Sequence, residues 1–61
     1  MPRYYILYER IPRDGNKLLT VIGSVKAIRS TLKNFAARTS NKIVVVDLVS
    51  SKIVATANAP R

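Results

Sequence analysis

The apolar residues of this chain change their spacing twice, and those two changes constrain its fold more than any other feature. From Tyr4 to Ile11 aromatic and branched residues crowd a short run, which predicts a β-strand. Pro12-Arg13-Asp14-Gly15-Asn16 follows, and Asp-Gly between two apolar runs is a strong hairpin signal. Lys17 to Ile22 is then the returning strand. At Gly23-Ser24 the pattern switches. Val25, Ile28, Leu32, Phe35 and Ala36 fall at helical spacing and form a stripe about 100° wide, on a helix running from Val25 to about Arg38. Ser24 is placed to cap its first turn, because a serine hydroxyl accepts from an amide that has no partner within the helix.

Thr39-Ser40-Asn41 prefer turns and end the helix. The β-branched run Lys42 to Leu48 restores strand character, Ser50-Ser51 supply a turn, and Lys52 to Ala57 form a last strand. With a two-residue turn there, Leu48 faces Ile53 and Val46 faces Ala55. These residues, with Val44 and Ala57, then share the sheet face that the helix covers. The expectation is an α+β fold of order β-β-α-β-β: a four-stranded, mainly antiparallel sheet with one amphipathic helix packed on one face. It forms a single small domain over residues 1–61, with 58–61 as a frayed tail.

Size makes that fold demanding. A chain of 61 residues buries only about 60% of the surface it exposes when unfolded. Disulfides, a metal or a partner subunit are the usual supports. With no Cys and no His, a disulfide is excluded and a structural metal site is not expected. That leaves an unusually good core or a partner subunit as the expected support.

The faces of the first strand lead to the same place. Tyr4, Ile6 and Tyr8 alternate with Tyr5, Leu7 and Ile11, so both faces are apolar while a single helix covers only one. Tyr4 and Tyr8 therefore mark either a face that a homodimer buries or a platform on which nucleic-acid bases stack.

Charge narrows the class of partner. Eleven Lys and Arg stand against three acids, a formal net charge of +8, which attracts polyanions. No acid occurs between Val25 and Val46, so Lys26, Arg29 and Lys33 form an uncompensated stripe along one side of the helix. A second cluster, Arg10, Arg13 and Lys17, surrounds the first hairpin, where a basic ribbon can clamp a nucleic-acid backbone. In element order alone, a hairpin followed by a basic helix is similar to the three-stranded-sheet-plus-helix DNA-binding domains of integrases and some plant transcription factors. No motif residue accompanies the likeness.

Catalysis is not expected. There is no His base and no glycine-rich phosphate loop, and of the three acids only Glu9 and Asp47 are placed to meet across neighbouring strands. No cofactor or metal is expected either. The leading functional expectation is a small, basic, sequence-tolerant nucleic-acid-binding protein that acts without catalysis, holding phosphates through Arg10, Arg13, Lys17, Lys26, Arg29 and Lys33. The alternative is a protein-interaction module, such as a virus- or plasmid-encoded inhibitor or accessory regulator, docking on an acidic protein surface. No run suggests a signal peptide or membrane span, so a cytoplasmic protein without membrane partners is expected.

Overall fold

The computed structural model describes residues 3–58. Its elements follow the expected order: β1 (Tyr5–Ile11), β2 (Gly15–Ile22), α1 (Val25–Ala36), β3 (Ile43–Asp47) and β4 (Ile53–Ala57). The four strands form one sheet in the order β2-β1-β3-β4, with every neighbouring pair antiparallel. β2 and β3 therefore run parallel on either side of β1, and α1 is the crossover of a split β-α-β unit.

Local chemistry explains where α1 begins and ends. The Ser24 hydroxyl accepts from the Lys26 amide at 3.2 Å, satisfying a donor that the first turn leaves open. At the other end Asn58 Nδ2 donates to the carbonyls of Ala36 (3.0 Å) and Thr39 (2.8 Å), so the end of β4 caps the end of the helix. Asn58 holds a left-handed φ of 55°, which asparagine tolerates better than most residues. The remainder of the expected tail, 59–61, lies outside the described residues.

The core lies between α1 and one sheet face. Tyr5, Leu7, Ile22, Ile43 and Val45 are buried there, with Ala27, Ile28, Leu32, Phe35 and Ala36 of the helix packed against them. Ala55 and Ala57 complete it under the helix. No helix residue is fully buried, and Val25, expected in the apolar stripe, is 66% exposed. It sits in the first turn, and Ala27 packs on the core instead.

The register of β3 differs from expectation. Val45 pairs with Ala55 and Ile43 with Ala57, so Ile43 and Val45 face the helix while Val44 and Val46 face away. The cause is a longer turn than Ser50-Ser51 alone. The Asp47 carboxylate accepts from the Val49 amide at 2.8 Å, its carbonyl accepts from Ser51 at 2.8 Å, and its own amide donates to Lys52 at 2.9 Å. A register shift between Val45 and Val46 then sends Ile53 to the open face while Ala55 and Ala57 stay under the helix.

Candidate nucleic-acid interface

Strand alternation places the tyrosines and the hairpin cations. Tyr5 and Leu7 enter the core, so Tyr4, Ile6, Tyr8 and Arg10 lie on the opposite face, which no element covers among the described residues. Their register partners extend that face across the sheet. Ile6 stands between Val21 and Val46, and Tyr8 between Leu18 and Val44. Leu18 (60%), Val21 (54%) and Ile53 (53%) are strongly exposed there. Val44 is fully buried although no helix covers it, so its neighbours on the open face close over it. The Tyr4 ring lies against Gly23, where an added Cβ would stand 3.7 Å from the ring edge.

The cations of the first hairpin do not share a face. Lys17 pairs with Glu9 and so lies on the helix side, Arg10 lies on the open side, and Arg13 stands at the tip. At the tip the Asp14 amide donates to Ile11 at 3.2 Å with Pro12 and Arg13 between them. Arg13 has a φ of 78°, the left-handed position of a type II turn that normally takes Gly or Asn. The helix stripe is also separate. Lys26, Arg29 and Lys33 are exposed on the side of α1 away from the sheet, a helix and a sheet removed from Tyr8 and Arg10. The expected cations thus form two surfaces on opposite sides of the molecule.

A residue that sequence reasoning placed only at a strand end joins the first of these surfaces. The Arg10 amide donates to the Lys42 carbonyl at 2.8 Å, continuing the β1–β3 ladder by one step. Arg10 and Lys42 are therefore direct cross-strand neighbours on the open face. They line a shallow cleft of about 310 Å³ with Pro12, Ser40, Asn41 and Asn58, and no acidic side chain borders it. Only long-range strand pairing brings these two cations together, so no local sequence signal could have found the pair.

Two of the three acids are occupied elsewhere, and the third, Asp14, is exposed at the hairpin tip. The Glu9 carboxylate, on the helix side, accepts from the Thr39 hydroxyl at 2.6 Å and from Asn41 Nδ2 at 2.9 Å. The Thr39 bond, then the Asn41 bond and the Lys17 charge, hold its pKa below the ordinary 4.5 against the opposing effect of burial. Asp47 is buried, organises the β3–β4 turn and meets Arg3 at 3.6 Å, the one ion pair among the described residues. Glu9 and Asp47 do not meet. Glu9 pairs with Ile43 and Asp47 with Tyr5, which separates them by about 13 Å along β1. Among the described residues no three His, Cys, Asp or Glu side chains gather, and no helix is long and apolar enough to cross a membrane.

No protein-family model, curated protein or solved structure matches this chain.

Proposed function

We propose that this is a small, non-catalytic nucleic-acid-binding protein of the cell interior, tolerant of sequence and attracted chiefly to the phosphate backbone. One observation carries the reading. Glu9 and Asp47 are committed to internal contacts and Asp14 is the one acid left exposed, while Arg10, Lys42, Lys26, Arg29 and Lys33 form no ion pair with any described residue. Cations evolved for solubility alone are usually interspersed with acids. Here the uncompensated charge leaves the counter-ion to be supplied by a partner, and a polyphosphate backbone supplies it densely. The helix stripe contributes long-range attraction, and the open face contributes contact.

The test is the salt dependence of binding to a labelled oligonucleotide, followed by fluorescence anisotropy. Binding is expected at low salt, with log K falling by roughly two to four units per tenfold rise in salt, as when several phosphates are neutralised. Absence of binding at low salt, or binding indifferent to salt, contradicts the reading.

The exposed apolar face supports a second reading, in which a second copy of the chain covers it. Leu18 and Val21 on β2 and Ile53 on β4, linked across the sheet through Ile6 and Val46, form the kind of apolar surface that dimers bury. The mass in solution, measured with and without an oligonucleotide, separates the two. A dimer that persists unchanged when the oligonucleotide binds favours the second copy, and a monomer that binds it favours the first reading.

A further inference from the structure

The geometry points to Arg10 and Lys42 as a clamp for one backbone phosphate of a single-stranded nucleic acid, with an adjacent base lying on Tyr8. This rests on the nucleic-acid reading and specifies the strand form and its seat.

The first observation is an electrostatic conflict. Like charges placed directly opposite on neighbouring strands destabilise a sheet, yet Arg10 and Lys42 occupy such a pair at the end of the central strands. The acid nearest in sequence, Glu9, is turned to the other face by strand alternation and is held there by Thr39 and Asn41. With both N–H groups of Asn58 Nδ2 and one of Asn41 Nδ2 already donating, the cleft's remaining side-chain donors are the two cationic side chains, the Ser40 hydroxyl and the second N–H of Asn41. That set matches the oxygens of a phosphodiester, and Arg presents a fork suited to them.

The second observation is what lies beside the clamp. Tyr8 is two residues from Arg10 on the same face, about 7 Å along the strand. Leu18 and Val44 flank it, giving an aromatic ring in an apolar setting. Tyr4 lies a further four residues along, its ring braced on Gly23. Cations at one end of a face and aromatic rings along it are the arrangement that single strands use, since their bases are free to stack. A duplex hides its base faces and leaves Tyr8 without a partner.

A second copy fits this end of the face less well. In a twofold interface the same patch serves both subunits; Glu9 and Asp47 are engaged internally, which leaves Asp14 at the hairpin tip as the one acid to set against Arg10 and Lys42 of two copies.

The experiment compares a labelled oligothymidylate with a duplex of equal length, using the full chain and three variants. The wild type is expected to prefer the single strand. Arg10→Gln with Lys42→Gln should weaken single-strand binding at least tenfold and reduce the log–log salt slope by about 0.7, as for one lost phosphate contact. Arg38→Gln with Lys52→Gln removes the same charge elsewhere and should leave the slope nearly unchanged. Tyr8→Leu should weaken the single strand roughly tenfold, with little effect on the duplex. Circular dichroism establishes that each variant is folded. Chemical-shift mapping on the wild type gives a result independent of any variant and should locate the oligonucleotide at Arg10, Lys42 and Tyr8. Equal losses for the two charge pairs, a duplex preference, or shifts confined to α1 would overturn the clamp while leaving nucleic-acid binding intact. Failure of the wild type to bind either probe would overturn both. A stable dimer whose open face is unmoved by the oligonucleotide would assign that face to a second copy.

Discussion

Arg10 donates its amide to the Lys42 carbonyl at 2.8 Å, so two cations stand side by side on the central strands of the sheet with no acid beside them. The free protein bears a cost for this arrangement. Neutralising one partner, as in Lys42→Gln, is expected to raise stability at low salt by about 0.2–1 kcal/mol. Thermal unfolding checks this. Inorganic phosphate should raise the melting temperature of the wild type more than that of Arg10→Gln with Lys42→Gln, because an anion bound to the native state stabilises it.

The Glu9–Thr39 contact makes the fold sensitive to acid. A carboxylate whose folded pKa lies below its unfolded value stabilises the native state above the unfolded value, and that contribution is lost as pH falls through the folded one. The melting temperature should therefore hold near neutrality and drop as the pH falls below about 4.5. Glu9→Gln should be less stable at neutral pH and decline less steeply on acidification. A wild type and variant with parallel pH profiles would refute the assignment.

Arg13 is expected to sacrifice stability for charge at the hairpin tip. Its φ of 78° suits glycine, so Arg13→Gly should stabilise the fold by up to about 1 kcal/mol, less what the more flexible unfolded chain takes back. Denaturant unfolding at constant m-value measures the gain. The same variant should bind oligonucleotide more weakly at low salt.

Asn58 joins the end of β4 to the end of α1. Asn58→Ala removes two donated hydrogen bonds and puts a less tolerant residue at positive φ, with an expected loss of about 1–3 kcal/mol. Asn58→Gly keeps the backbone freedom but not the donors, and should recover only part of that loss in chemical denaturation.

Much of the architecture was legible in local chemistry. The first hairpin, the Ser24 cap and the change of period at Val25 each depend on residues close together in the chain, and each is present, although the hairpin turns on Pro12-Arg13 and Gly15 already belongs to β2. The facing of β3 was not legible, because Ile43 through Val46 are apolar at every position and either parity buries a plausible set. The turn that sets the β3–β4 register depends on Asp47, whose backbone and side chain both take part, and residue preferences alone do not reveal that. The candidate site divides the same way. Tyr4, Tyr8 and Arg10 follow from alternation along one strand. Lys42 becomes their companion only when β3 pairs with β1, and the helix stripe proves distant only once α1 has a side of the sheet.

The most direct test of the central claim is a chemical-shift titration of the isotopically labelled protein with a short single-stranded oligonucleotide at low salt. The account predicts saturable shifts at Arg10, Lys42 and Tyr8, weaker ones at Tyr4, and reversal on raising the salt. Shifts absent from the open face at saturating oligonucleotide, or no shifts anywhere, would contradict it.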